Sequence, residues 1–177
     1  MASTKPQTGA ATSKTPEIQP QTQKITTFLW FDGNAEEAVN FYTSIFKNSK
    51  TIRVARNGEA GAGPKGSVLL IDFELNGQPF SALNGGPQFK FTEAISLLVN
   101  CKTQDEIDYY WEKLSEGGEK VQCGWLKDKF GLSWQVAPEV LLELIADPDE
   151  QKRDRVMKAM MQMKKIEIEP LLQAAKG

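Results

Sequence analysis

The sequence contains no histidine. Ser-His-Asp and Cys-His nucleophile systems therefore cannot form within the chain, and no imidazole is available as a general base. Neither a Cys-x-x-Cys nor an HExxH motif is present, which excludes the usual zinc sites. Carboxylates are therefore the acid–base groups that we consider for catalysis.

Cysteines and long apolar segments are also scarce. Cys101 and Cys123 lie in apolar, strand-like segments, which indicates buried, reduced thiols rather than a disulfide. No apolar run approaches the roughly 20 residues that a membrane-spanning helix needs. The N-terminal residues lack the apolar core of a signal peptide. We therefore expect a cytoplasmic protein with no membrane partner.

The charge is nearly balanced, with a formal net charge of −2 and both signs mixed along 177 residues. A nucleic-acid-binding surface requires a basic excess, so we expect no nucleic-acid partner. The length suits one domain, or two small modules packed together, with enough apolar content for a core.

The segment Cys123–Pro138 organises the rest of the chain. Two apolar stretches flank Asp128–Gly131, where Asp can begin a turn and Gly can close it. This pattern predicts a β-hairpin that ends at Pro138, because proline cannot continue a sheet interior. The earlier segment Leu75–Leu83 has the same pattern around Asn76-Gly77, a strong hairpin signal. This repetition predicts that the chain contains one unit twice.

A predicted helix precedes each hairpin. Asn34–Glu37 and Thr103–Glu106 both have the capping-box pattern, and Phe41-Tyr42 in the first apolar stripe corresponds to Tyr110-Trp111 in the second. Each unit reads strand, helix, strand and hairpin, which indicates a duplicated module. The predicted bounds are strand Ile25–Phe31, helix Asn34–Phe46 and strand Lys50–Arg56 in the first unit, and strand Glu93–Asn100, helix Thr103–Glu116 and strand Lys120–Cys123 in the second.

The first hairpin predicts two different faces. A two-residue turn at Asn76-Gly77 pairs Leu75 with Gln78 and Asp72 with Ser81. An apolar face should pack under a helix, and it comprises Leu69, Ile71, Phe73, Leu75, Phe80 and Ala82. A mixed face suits a ligand-facing surface, and it comprises Val68, Leu70, Asp72, Glu74, Ser81 and Leu83.

Gly61–Gly66 matches the dinucleotide fingerprint G-x-G-x-x-G. In a nucleotide site this loop must open a helix, whose N-terminus holds the phosphates. Here it leads into the strand-like segment Ser67–Leu75. We therefore interpret it as a surface loop, and expect no cradle for adenosylmethionine.

Several segments together resemble the PhnB-like group of the vicinal-oxygen-chelate superfamily: Leu29–Ala38, Phe41-Tyr42, Leu83–Pro87, Cys123–Pro138 and Met157–Met161. That superfamily includes glyoxalase I, bleomycin-resistance proteins and extradiol dioxygenases, and some PhnB-like proteins are described as demethylubiquinone methyltransferases. The resemblance covers roughly residues 25–175. It implies an α+β fold of two βαβββ modules around a cleft, and a homodimer that sometimes exchanges modules.

Four segments are expected along the chain. Residues 1–24 lack large apolar side chains and should form a disordered tail. The first module and the linker to the second occupy residues 25–91, and the second module occupies residues 92–138. Residues 139–177 should form C-terminal helices, with a cap and a first-position proline at Asp147–Glu150, and a core or dimer contact at Met157–Met161.

The resemblance implies a divalent metal held by His or Glu from four strands. In this chain the matching positions are Thr26 or Thr27, Ser81, Glu93 or Ala94, and Gln135. Neutral hydroxyls and an amide are poor ligands for a transition metal, which prefers nitrogen, thiolate or charged oxygen donors. We therefore expect no metal and no cofactor.

Two functional hypotheses follow. In the first, the protein is a metal-free module that binds or sequesters a small organic ligand. The candidate ligand-binding residues are Thr26, Phe28, Trp30, Asp72, Ser81, Gln88, Phe89 and Gln135. In the second, the protein is an enzyme of the lyase, isomerase or dioxygenase-like kind, in which Asp72 or Glu93 acts as a general base. A carboxylate with a raised pKa inside the cleft would favour the second hypothesis.

Overall fold

The structure is a computed structural model, and it describes residues 24–177. The predicted disordered tail therefore lies outside the described residues, apart from Lys24. No helix within residues 24–177 is long and apolar enough to cross a membrane.

Thirteen helices and strands follow one another in the described part of the chain. The first module contains β1 (Thr27–Phe31), α1 (Ala35–Ile45), β2 (Lys50–Arg56), β3 (Val68–Leu75) and β4 (Gln78–Asn84). The second contains β5 (Ser96–Cys101), α2 (Gln104–Leu114), β6 (Glu119–Lys120), β7 (Trp125–Lys127) and β8 (Ser133–Pro138). Three helices complete the chain: α3 (Glu139–Ile145), α4 (Glu150–Met161) and α5 (Ile168–Lys176).

The two modules have the same topology. The strand order is β1-β4-β3-β2 in the first sheet and β5-β8-β7-β6 in the second. In each sheet the first strand pairs in parallel with the last, and the remaining pairs are antiparallel. The predicted α+β fold of two βαβββ modules with appended C-terminal helices is confirmed.

The first hairpin has the predicted register. Leu75 pairs with Gln78, and Asp72 pairs with Ser81. Asn76 and Gly77 have φ angles of 49° and 80°, as a two-residue turn with the twist of a hairpin requires. Of the predicted apolar face, Leu69 is only half-buried, while the rest is buried under α1.

Both modules contribute to one hydrophobic core through the helix-facing sides of their sheets. The ring of Phe46, which follows α1, stacks on Tyr110 of α2 and on Trp134 of β8, at centroid distances of 5.1 and 5.5 Å. The Tyr109 hydroxyl also donates a 3.0 Å hydrogen bond to the carbonyl oxygen of Ile45. Trp134 is therefore a core residue.

One of the two predicted capping boxes is wrong. The Thr103 hydroxyl accepts a 3.2 Å hydrogen bond from the Glu106 backbone and caps α2 as expected. Asn34 precedes α1, but its side chain makes no capping bond. Instead Asn84, at the end of β4, accepts a 2.9 Å bond from the Ala35 backbone N–H. A side chain distant in sequence has replaced the local cap.

Three strand predictions need correction. The strand predicted at Ile25–Phe31 begins at Thr27, and the one predicted at Glu93–Asn100 begins at Ser96. Glu93 therefore lies in a turn before β5. The strand predicted at Lys120–Cys123 is only Glu119–Lys120, because Cys123 adopts a positive φ of 58° and leaves the ladder.

The segment that follows α4 explains why β6 ends at Lys120. The backbone N–H groups of Cys123 and Gly124 donate to the carbonyl oxygens of Met163 and Lys164, at 2.8 and 2.7 Å. Gln104 of α2 is also bonded to this segment, since its side-chain oxygen accepts a 2.9 Å bond from the Ile168 N–H. The residues after α4 thus occupy hydrogen bonds that the sheet would otherwise use.

Helices α3–α5 form a second, smaller core with the end of β8. Asp149 caps α4 by accepting bonds from the N–H groups of Gln151 and Lys152. Pro148 precedes the cap, so the prediction that it occupies the first helical position was wrong. Both cysteines are free, as predicted, with Cys101 buried and Cys123 partly exposed.

Candidate functional site

The candidate site is the face of the first sheet that points away from α1. One row of residues crosses all four strands of this face, because Phe28 pairs with Ser81, Ser81 with Asp72, and Asp72 with Arg53. The Ser81 hydroxyl donates a 2.8 Å hydrogen bond to Oδ1 of Asp72. Arg53 donates to Oδ2 of the same carboxylate from Nε at 2.9 Å and from Nη2 at 2.5 Å. We call this line of four residues the polar row.

A second line of residues lies beside the polar row. Trp30 pairs with Leu83, Leu83 with Leu70, and Leu70 with Ala55. We call these four residues the apolar row. A polar row next to an apolar row is the surface that an organic ligand with one polar end requires.

The linker between the modules holds Trp30 in place. The indole N–H donates a 2.8 Å bond to the Gly86 carbonyl oxygen, and the Phe89 ring meets the indole edge-on at a centroid distance of 4.9 Å. A Cβ atom at Gly85 would lie 2.2 Å from the Trp30 ring. Only glycine therefore permits the linker to approach the indole this closely.

The structure brings together most of the candidates predicted in the first module. Phe28, Trp30, Asp72 and Ser81 share one face, and Phe89 contacts Trp30. Thr26 is exposed and precedes β1, and the side chain of Gln88 is exposed in the linker.

The equivalent face of the second sheet carries Gln135. Leu98 pairs with Gln135, and Gln135 pairs with Trp125. Gln135 therefore corresponds to Ser81, as predicted from the two hairpins. Its amide donates a 2.8 Å bond to the Ser96 hydroxyl.

Asp72 and Glu93 are the general bases that the enzyme hypothesis proposed. Neither lies in the desolvated environment that would raise the pKa of a catalytic carboxyl. Glu93 is exposed, and a hydrogen bond from Lys127 is the main cause that lowers the pKa of its carboxyl below the ordinary value. Both oxygens of Asp72 already accept hydrogen bonds, from Arg53 and Ser81. Among residues 24–177, the carboxyl with a raised pKa is that of Asp128, which is buried in the core between the modules.

Sequence reasoning missed two basic residues of these faces, Arg53 and Lys127. A register shift between Thr51 and Arg53 breaks the alternation of β2, so no simple pattern could assign Arg53 to the face. Lys127 could have been predicted from the hairpin pattern. It pairs with Ser133, which lies two residues before Gln135 and therefore on the same face of the sheet.

Comparison with known proteins identifies the family. The family described as 3-demethylubiquinone-9 3-methyltransferase matches residues 23–137. A putative 3-demethylubiquinone-9 3-methyltransferase, PhnB protein, from Bacillus cereus is 44% identical, with a TM-score of 0.61, and the match covers 66% of this chain and 99% of that chain. The chain belongs to this family. No curated protein matches it.

One more distant solved structure shares the fold. A protein from Pseudomonas aeruginosa is 20% identical, with a TM-score of 0.56, and the match covers 67% of this chain and 98% of that chain. A glyoxylase/bleomycin resistance protein/dioxygenase domain from Frankia is 13% identical, with a TM-score of 0.43, and covers 67% of this chain and 93% of that chain. The family match ends at residue 137, so α3–α5 lie beyond the part that it covers.

The residues on the two PhnB-like faces do not fit the divalent metal that the superfamily implies. The side chains that share the row with Ser81 and Gln135 on the first strand of each module are Phe28 and Leu98, rather than Thr26 or Thr27 and Glu93 or Ala94. Two apolar side chains, a hydroxyl and an amide provide no charged donor. Within residues 24–177, no three Cys, Asp or Glu side chains lie close enough to hold an ion.

Proposed function

We propose that this PhnB-like protein binds a small organic molecule without a metal, and that it sequesters or senses that molecule in the cytoplasm. The observation that carries the proposal is the polar row beside the apolar row on an accessible sheet face. Phe28 of the polar row is 56% exposed and Phe89 against Trp30 is 65% exposed, so aromatic surface on this face is open to a ligand.

The donor chemistry of the face supports binding rather than metal-dependent catalysis. Ser81 and Gln135 offer a hydroxyl and an amide, which orient a ligand by hydrogen bonds. Trp30 and Phe89 supply aromatic surface, and Phe28 supplies more at the end of the polar row. The alternative enzyme has less support, because both oxygens of Asp72 already accept hydrogen bonds and the pKa of the Glu93 carboxyl is lowered.

We do not propose the methyltransferase activity that the family description names. The glycine-rich loop Gly61–Gly66 joins the antiparallel strands β2 and β3 and opens no helix. The fingerprint loop is therefore not placed at a helix N-terminus, where it would have to be to hold the phosphates of a nucleotide.

We also propose that two copies form the complete cleft. The modules of one chain contact each other through their helix-facing sides, and no strand pairing joins the two described sheets. β1 and β5 are edge strands, and Phe28, Ile95 and Leu98 on or next to them are exposed. An exposed apolar edge favours pairing with another chain. A homodimer would cover these edges and place a first-module face beside a second-module face.

Native mass spectrometry of protein purified from its own cells tests the ligand. We expect a bound small molecule in the wild type and its loss in Phe28→Ala. Leu142→Ala is the matched control, because Leu142 is 48% exposed but lies on α3, away from the face. Wild-type protein without any bound molecule, or equal retention in both variants, would contradict the proposal.

Light scattering tests the assembly. The wild type should have twice the chain mass of 19.7 kDa. A charge placed at the exposed edge, Ile95→Asp, should produce a monomer, whereas Leu142→Asp should not. A monomeric wild type at micromolar concentration would refute the dimer.

A further inference from the structure

Arg53 is the one residue of the polar row that still has hydrogen-bond donors to offer. Its side chain is 65% exposed. In its contacts with the described residues, Nε and Nη2 are engaged, and both donate to the same oxygen of Asp72. A guanidinium has five N–H donors in a fixed plane, so Nη1 remains available.

Asp72 positions this guanidinium, and as a carboxylate it offers a ligand no hydrogen-bond donor. Its Oδ2 atom accepts from Arg53, and its Oδ1 atom accepts the Ser81 hydroxyl proton. Because Ser81 gives its proton to Asp72, its oxygen can only accept another hydrogen bond. The surplus donors of the polar row therefore belong to Arg53.

The other charged groups of the face are already paired with each other. Lys50 and Glu74, which are cross-strand partners, form an ion pair at 3.3 Å. With Arg53 and Asp72 the formal charge of the first-module face is zero. An ammonium group of a ligand would find both carboxylates already paired with cations, whereas an acid group would find N–H donors of Arg53 that Asp72 does not use.

We infer that the ligand of this face is a small organic acid, whose carboxylate or other oxyanion binds Arg53 and whose apolar body lies on the apolar row. This inference rests on the proposed function and names its ligand class. Planar guanidinium groups recognise such oxyanions by parallel charge-assisted hydrogen bonds. The side chains of Trp30, Leu83 and Leu70 supply the apolar contact next to it.

The face of the second module is consistent with an acidic ligand. Lys127 lies beside Ser133, and it is paired with Glu93. The hydroxyl of Ser133 is buried and has no hydrogen-bond partner. In the proposed dimer this face would bring Lys127 and its partner Glu93 to the cleft, while the Ser133 hydroxyl stays buried beneath it.

The test compares acids with their amides, which have similar shape but no charge. Benzoate and benzamide, and hexanoate and hexanamide, would be titrated into the full-length protein by calorimetry. The wild type should prefer each acid by about tenfold, as expected for a hydrogen bond to a charged group. Arg53→Gln should abolish the preference, and Arg53→Lys should retain part of it.

Arg56→Gln is the matched control. Arg56 lies on the same strand with a side chain 53% exposed, but it contacts Glu36 and the Gly66 carbonyl oxygen instead of the polar row. It should keep the full preference for the acid. Thermal unfolding of each variant would verify that all of them fold.

Two results would overturn the inference. One is equal affinity for acid and amide, or the same preference in Arg53→Gln and Arg56→Gln. The other is no binding of either member of both pairs at millimolar concentration. The proposed function would survive either result if native mass spectrometry finds a neutral or cationic ligand that Phe28→Ala loses.

Discussion

The Tyr42 hydroxyl in the first module donates a 2.8 Å hydrogen bond to Oδ2 of Asp128 in the second-module hairpin. The indole N–H of Trp134 donates to the same oxygen at 2.8 Å. The backbone N–H groups of Phe130 and Leu132 donate to Oδ1 at 2.8 and 3.0 Å. A carboxylate that is only 2% exposed thus joins the two modules with four donors.

Replacing this carboxylate should be costly. Asp128→Ala leaves four buried donors without an acceptor, and we expect a loss of about 3–5 kcal/mol in the free energy of unfolding. Tyr42→Phe removes one of the four bonds and should cost about 1 kcal/mol. Urea unfolding of both variants measures the difference. Equal losses would show that the carboxylate acts through Tyr42 alone.

Asp128 should also influence how stability depends on pH. Desolvation by burial raises the pKa of its carboxyl above the ordinary value of 3.8, against the lowering effect of its hydrogen bonds. The folded protein then holds this proton more tightly than the unfolded chain. The stability contributed by the protonated group is present below the ordinary pKa and is lost as the pH rises through the folded pKa.

Comparison with Asp128→Asn isolates this group, because asparagine does not titrate. The advantage of the wild type in free energy of unfolding should shrink as the pH is raised from 3.8 into the mildly acidic range. Exposed carboxylates with lowered pKa values, such as Glu93 and Asp108, have the opposite effect. They are the same in both proteins and cancel in the difference. An advantage that grows with pH would mean that the four donors outweigh desolvation.

Much of this architecture could be predicted because its signals are local. Asn76-Gly77 encodes the turn through its own backbone preferences, and the alternation on either side sets the register from Leu75–Gln78 to Asp72–Ser81. These two facts place Asp72 and Ser81 on one face without any tertiary information. The correspondence of Ser81 with Gln135 followed from the same hairpin pattern.

The features that escaped prediction depend on contacts between distant segments. Asn84 caps α1 across the module, so the local box at Asn34 was misleading. Met163 and Lys164 take the N–H groups of Cys123 and Gly124, which shortens a strand that the repeat predicted. Asp128 has the ordinary sequence pattern of a turn residue. Its hydrogen bond to Tyr42 depends on how the two modules pack together. The strand and helix periods of two and 3.6 residues carry no information about that packing.

Gly85 should control the shape of the apolar row. Gly85→Ala places a Cβ atom 2.2 Å from the Trp30 ring, so the indole or the linker must move. We expect a loss of about 1–3 kcal/mol in stability, as in other overpacked sites, together with weaker ligand binding. Gly58→Ala is the control, because its Cβ would meet no atom within 4 Å. Unaltered thermal unfolding and ligand binding in Gly85→Ala would show that Trp30 has room to adjust.

The metal content of the protein remains a prediction, and it follows from the donors on the two faces. Phe28, Ser81, Leu98 and Gln135 share the ligand rows of their modules, and none carries a charge. We expect purified, tag-free protein to contain no stoichiometric Zn, Ni, Fe or Mn and to have no glutathione-dependent glyoxalase activity. Adding these ions should not change the melting temperature, since only ligands that bind the folded state raise it.

Introducing metal ligands at the four positions gives this prediction a positive control. Phe28→His, Ser81→Glu, Leu98→His and Gln135→Glu together supply the missing imidazoles and carboxylates. If the two faces meet in a dimer, this variant should bind Ni or Zn and its melting temperature should rise with the ion concentration. Elemental analysis that finds near one equivalent of metal in the wild type, lost on Asp72→Ala or Glu93→Ala, would contradict the metal-free proposal and favour the enzyme.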